Sequence, residues 1–191
     1  MKKTIQSNIL LFTPSGKVMA PVKITYDDNE SILNPKSEIT LLYNGVEYNG
    51  IGSDDLWTDT FADLQIKLPK DIELACCMTC RHGNMCPYGN VENKLFCTKD
   101  LIITCKEDMC NLFDQTALVE ERSVASLNYC DDFICQSEAH YTYNDYLYQL
   151  SKKKHTLCGG DDYAGYIMNL RTVVGHRPFR RSGRTEILSF R

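Results

Sequence analysis

The chain has 191 residues, 43% of them hydrophobic and 24% charged, with a formal net charge of −4. These values suit a folded chain with its own core and exclude a wholly disordered, collagen-like or coiled-coil protein. Ten cysteines are the unusual figure.

The opening Met1-Lys2-Lys3 is basic, but the apolar run that follows, Ile9 to Phe12, has only four residues before Thr13-Pro14-Ser15-Gly16 breaks it. A secretory h-region needs about 7–15, and a membrane span roughly 20. The expectation is a cytoplasmic protein with no membrane contact. In that compartment clustered cysteines serve as metal ligands or redox groups more often than as structural disulfides.

The first 51 residues read as β structure. Lys17 to Tyr26 is rich in Val, Ile and Thr, with Val22, Ile24 and Tyr26 alternating. Glu38–Tyr43 and Val46–Ile51 flank Asn44-Gly45, a dipeptide that adopts positive φ cheaply and so predicts a tight hairpin. Asp27-Asp28-Asn29 and Asn34-Pro35 mark turns. From Ser53 to Leu68 the period changes. Trp57, Phe61, Leu64 and Leu68 fall on one helical face, with Ser53 as N-cap, Asp54 and Asp55 at the positive end and Pro69 as terminator. Trp57 reads as a core residue.

Asp71–Cys76 predicts a short strand. Leu101–Thr104 and Ala117–Val119 suggest further strands, and His140–Lys154 a helix carrying Tyr143, Leu147 and Leu150 on one stripe. Cys158-Gly159-Gly160-Asp161-Asp162 suggests a loop, and Arg184–Phe190 an edge strand. Cys105-x₄-Cys110 and Cys130-x₄-Cys135 echo one another, each pair enclosing two acids.

Seven cysteines lie between Cys76 and Cys110. Cys77, Cys80, Cys86 and Cys97 are separated by two, five and ten residues. Two intervening residues let a turn present both sulfurs to one ion, at about 2.3 Å for zinc. Arg81, Gly83, Asn84, Pro87 and Gly89 are loop formers that let backbone amides face the thiolates. A structural Cys₄ zinc site is the expectation, with His82 and Cys76 as competing ligands. A weaker second set is Cys105, Cys110, Cys130 and Cys135.

Buried free thiols or disulfides are the first alternative, since free cysteine is among the most often buried residue types; an iron–sulfur cluster is the lesser one. Cys77-x₂-Cys80-x₅-Cys86 resembles part of the auxiliary-cluster motif of SPASM-domain radical enzymes. Asn90 stands where that family has its next cysteine, and the chain has no CxxxCxxC, so the family's chemistry is not carried over. A thioredoxin-like reading of Cys77-x-x-Cys80 conflicts with Gly83 and Pro87, which stand where its helix would run.

For catalysis, His155, Cys158 and Asp161 are the candidates: a cysteine nucleophile, a base and a group to orient it, beside glycines that would open backbone amides to an oxyanion. The bland alternative is a Gly-rich turn after a lysine run. No GxxxxGK[ST], GxGxxG, HExxH or GxSxG is present.

Residues 170–191 hold six arginines and one acid. Tyr141, Tyr143, Tyr146, Tyr148, Tyr163 and Tyr166 read first as a half-buried amphipathic helix with tyrosine tips in water; with Arg171, Arg177, Arg180, Arg181 and Arg184 they also suit a protein partner or, after that, nucleic acid. The remainder of the chain carries −9, which disfavours nucleic acid.

The sequence therefore predicts an α+β fold. Residues 1–75 form a β-rich portion with the 53–68 helix, 76–135 a zinc-stapled cysteine region, and 136–191 a Tyr-rich helix and basic end, together one compact unit. The expected function is a zinc-stabilised binding or adaptor protein working through its C-terminal third; the alternative is a hydrolase or transferase centred on Cys158.

Overall fold

In the computed structural model, residues 2–27, 36–53, 57–89 and 94–158 are described. They belong to one unit, Met1–Asp161, and build an α+β fold of two antiparallel sheets and four α-helices.

The first sheet has the order β4-β3-β2-β1-β5. Strands β1 (Lys2–Thr13) and β2 (Gly16–Asp27) pair over their full length, from Lys2 opposite Asp27 to Thr13 opposite Gly16. The Pro14-Ser15 turn joins them. Thr13 Oγ1 donates to the Gly16 carbonyl at 2.8 Å, and Gly16 takes φ 116°, where a side chain would be strained. The Ile9–Phe12 run, too short for a targeting helix, is thus the inner half of a strand.

Strands β3 (Ser37–Tyr43) and β4 (Val46–Gly52) form the predicted hairpin. Asn44 and Gly45 have φ 52° and 77°, both left-handed, as a two-residue turn matched to sheet twist requires. Strand β5 (Glu73–Ala75) adds antiparallel to β1.

Helix α1 (Thr58–Lys67) lies over β3 and β4. It starts later than the sequence indicates. Trp57, at φ 64°, is its N-cap, and no side chain caps it. Ser53 is not the cap; its N–H donates instead to Asp59 Oδ2 at 3.1 Å. Asp54 and Asp55 lie outside the described residues. Gly50 permits the close approach of helix and sheet, because a Cβ there would sit 2.5 Å from the Thr60 carbonyl oxygen.

Ile9, Leu11, Val22, Ile24, Ile39 and Leu41 of the sheet pack with Trp57, Phe61 and Leu64 to form the core. Tyr26 meets Trp57 edge-on, with ring centroids 5.2 Å apart. Helix α4 (Tyr146–Cys158) packs on α1. Its Tyr146 is buried and Leu150 half-buried against the same core. The sequence places this helix at His140–Lys154; it begins six residues later, because Thr142 and Asn144 spend their side chains on the cysteine loop.

The second sheet is small, with order β6-β7-β8: β6 (Gly83–Asn84), β7 (Lys94–Cys97) and β8 (Ser123–Ala125). Between β7 and β8 stand α2 (Lys106–Phe113) and α3 (Thr116–Arg122). Here two sequence expectations fail. Leu101–Thr104 is loop, and Ala117–Val119 lies inside α3.

The missed start of α2 has a legible cause. Asp108 Oδ2 accepts from the Thr104 N–H, the Thr104 hydroxyl and the Cys105 N–H at 2.7, 2.8 and 3.2 Å, while Cys105 takes the N–H of Asp108 in return. This is a capping box with a thiol in the usual hydroxyl position. The echo between 105–110 and 130–135 is not a structural repeat: the first lies on α2, the second in irregular chain. Arg184–Phe190 lies outside the described residues.

Candidate metal centre

The cysteine region begins where β5 leaves the large sheet. Cys76 is fully buried in the core and N-caps a 3₁₀ turn over Cys77–Thr79. Burial pushes its thiol up to about 11, and its side chain packs as part of the core. The turn folds because Thr79 works locally. Its hydroxyl donates to the Leu74 carbonyl at 2.6 Å and accepts from the Cys76 N–H at 3.3 Å. The Cys80 N–H closes on the Cys77 carbonyl at 3.3 Å and the Gly83 N–H on the Cys80 carbonyl at 3.0 Å. The two-residue spacing thus makes the tight turn expected of it.

Polar side chains hold this loop against the rest of the molecule. Buried Asn84 donates to the Thr98 hydroxyl at 2.8 Å, and its Oδ1 accepts from the Tyr143 N–H at 2.6 Å. Gln136 Nε2 donates to the carbonyls of Met78 and Cys80 at 3.1 and 3.3 Å. Thr142 Oγ1 donates to the Arg81 carbonyl at 2.9 Å. Met78 and Met85 are buried beneath the loop and join the core, two anchors that motif spacing does not reveal.

Three remote segments then meet Cys77 and Cys80. Gly83 pairs with Cys97 across β6 and β7. The Cys77 N–H donates to the Asn128 carbonyl at 2.6 Å, which carries the chain of Cys130 to the same place. Cys80 faces Cys135 across an isolated antiparallel bridge. The electrostatics record the gathering. Burial, with the thiolates of Cys76, Cys80, Cys97 and Cys130, pushes the Cys77 thiol up to about 12. Burial also raises Cys80, reinforced by Cys130 and Cys97, while the backbone N–H groups of Ile134 and His82 act the other way.

Cys77, Cys80 and Cys97 share a neighbourhood, and its further member is Cys130. Cys86 acts electrostatically on Tyr88, whose phenol also pairs with Cys110 of α2. Of the second set, Cys105 and Cys110 lie near Tyr141; Cys130 belongs with Cys77, and Cys135 with Cys80 and Glu73. His82 accepts from Arg81 Nε at 3.3 Å and is held toward its neutral form by burial and by Arg81. Among the described residues, no three His, Cys, Asp or Glu side chains close around a single point as a bound ion requires.

The catalytic candidates stand elsewhere. His155 and Cys158 fall in the last turns of α4, so Cys158 ends a helix instead of opening a loop. The side chain of Cys158 and all of Asp161 lie outside the described residues, as do Arg171, Arg177, Arg180, Arg181 and Arg184. No helix among the described residues is long and apolar enough to cross a membrane.

Comparison with protein-family models, with curated proteins and with solved structures returns no match.

Proposed function

We propose that the chain is a non-enzymatic binding or adaptor protein whose cysteine loop is stapled by zinc, with Cys77, Cys80, Cys97 and Cys130 as ligands. The observation that supports this reading is the gathering of four thiols from three separate stretches of chain around Cys77. Such a set carries mutual repulsion once ionised, and a divalent cation converts that repulsion into folding energy. A tetrahedral four-thiolate site is the arrangement zinc prefers. In this reading the four side chains rearrange on binding, because among the described residues no such group is already closed. In this reading Cys86 is not a ligand, and the arginine-rich residues 170–191 engage a protein partner.

Elemental analysis of the purified full chain tests the proposal, combined with cobalt(II) substitution to read thiolate-to-metal charge transfer. The expected result is zinc in the wild type, its loss in Cys130→Ser and its retention in Cys86→Ser. Iron with sulfide, or no metal at all, overturns it. Deleting 170–191 is expected to leave metal content unchanged and to abolish partner capture.

A further inference from the structure

We propose that Cys80 and Cys135 form a dithiol–disulfide pair, the site at which a peroxide oxidises this chain. The inference rests on backbone register and stands whether or not a metal is bound.

Two hydrogen bonds define the register. The Arg81 N–H donates to the Ile134 carbonyl at 2.9 Å and the Gln136 N–H to the Thr79 carbonyl at 3.1 Å. They flank the Cys80–Cys135 bridge, so the cysteines exchange no hydrogen bond with each other. That makes them a non-hydrogen-bonded antiparallel pair, the closer of the two kinds, with Cα atoms typically about 4.5 Å apart. Directly opposed side chains in such a pair project to the same face. A disulfide bridges Cα atoms about 4.4–6.8 Å apart, a span that includes the typical separation of this pair type.

Both thiols are free, and they differ in access. Cys80 is buried and Cys135 half-buried. Cys135 presently donates its S–H to Glu73 Oε2 at 3.0 Å. Gln136 clamps the far strand by bonding the carbonyls on either side of Thr79, which holds the register under the pair.

The chemistry balances with hydrogen peroxide as oxidant. The Glu73 carboxylate takes the Cys135 proton and the thiolate attacks one peroxide oxygen; an S–O bond forms, the O–O bond breaks, and the departing hydroxide recovers that proton from Glu73 as water. The Cys80 sulfur then attacks the sulfenic sulfur of Cys135. The S–S bond forms, the S–O bond breaks, and the second hydroxide leaves as water with the Cys80 proton. Two thiols lose two electrons and one peroxide gains them. A dithiol reductant reverses the bond by thiol–disulfide exchange.

The test is disulfide mapping of the full chain after peroxide treatment, on the protein as isolated and after chelator treatment, with alkylation before digestion. The expected result is a dominant linked peptide joining Cys80 to Cys135, lost on dithiothreitol treatment and absent in Cys135→Ser. Cys80 linked mainly to Cys77 or Cys97, or Cys80 and Cys135 both alkylated while other thiols are oxidised, overturns the proposal. Zinc released in step with the link joins it to the metal reading. The link formed in protein that holds no metal as isolated leaves the oxidation site standing and the metal reading refuted.

Discussion

Asn144 donates both hydrogens of its side-chain amide into the cysteine loop, one to the Gly83 carbonyl at 2.9 Å and the other to the Met78 carbonyl at 3.0 Å. Its Oδ1 accepts from the Tyr146 N–H at 2.9 Å, at the start of α4. One buried amide thus couples the helix start to the turn at Cys77–Thr79 and to β6. Asn144→Ala takes the side-chain partner from the buried Gly83 carbonyl and the Tyr146 N–H, and leaves the Met78 carbonyl with Gln136 alone. The expected loss is about 1–3 kcal/mol, read as a lower urea midpoint with an unchanged slope. Asn144→Asp is expected to be worse, because a carboxylate sets acceptor against acceptor at both carbonyls.

Gly83 is the position at which the loop has no spare room. A Cβ there would overlap the Cys77 carbonyl oxygen and crowd the Cys80 carbonyl. Both are backbone atoms in the turn that presents the two thiols, so neither gives way cheaply. Gly83→Ala is expected to cost about 1–3 kcal/mol or more through overpacking. The corresponding change at Gly89, where nothing lies within 4 Å, meets only the strain of φ 74°. Comparing the two variants in thermal melts separates loss of space from loss of backbone freedom.

The contrast between what the sequence foretold and what the chain does follows from the range of the interactions. The β2, β3 and β4 strands were legible because alternation and Asn44-Gly45 act locally. Phe61 and Leu64 were legible because a helical period needs only one turn of context. The start of α1 was not, since the left-handed Trp57 is stabilised by burial against Tyr26, a partner remote in sequence. Ala117–Val119 reads as strand by composition, yet Glu120, Glu121 and Arg122 continue it as helix. Cys77, Cys80 and Cys97 could be grouped from spacing. Cys130 could not, because the Asn128 carbonyl that brings it to Cys77 makes a backbone contact with no sequence signature.

Lys153 clamps α4 to α1. Its ammonium lies 2.7 Å from Asp59 Oδ1 and 3.5 Å from Asp63 Oδ1, carboxylates one helical turn apart on α1. Burial pushes the Asp63 carboxyl up, but hydrogen bonds from Lys67 and the Ile51 N–H, with the charge of Lys153, hold it below its ordinary value. All three charged groups are largely shielded from water. Lys153→Met keeps the aliphatic stem and removes the charge, leaving the carboxylates to repel each other. The expected loss exceeds the roughly 1 kcal/mol ceiling of an exposed pair. A double-mutant cycle with Asp59→Asn measures it, and additivity of the two changes would refute the clamp.

Arg122 closes the small sheet through Asp100. Its Nη1 and Nη2 meet Asp100 Oδ1 and Oδ2 at 2.6 and 2.9 Å, and Nη1 also donates to the Cys97 carbonyl at 3.0 Å. This two-pronged pair joins the end of α3 to the turn after β7, and it holds the Asp100 carboxyl down to about 2 from an ordinary 3.8. A carboxylate whose folded value is depressed contributes its stability above the unfolded value and loses it as pH falls through the folded one. The contribution is therefore whole above about pH 4 and fades toward pH 2. In Asp100→Asn that component of the acid dependence is expected to vanish, with stability already reduced at neutral pH. Urea midpoints collected across the acid range test this. If wild type and Asp100→Asn run parallel from neutral pH down to the acid limit, the Asp100–Arg122 pair does not contribute to folding in the way its geometry implies.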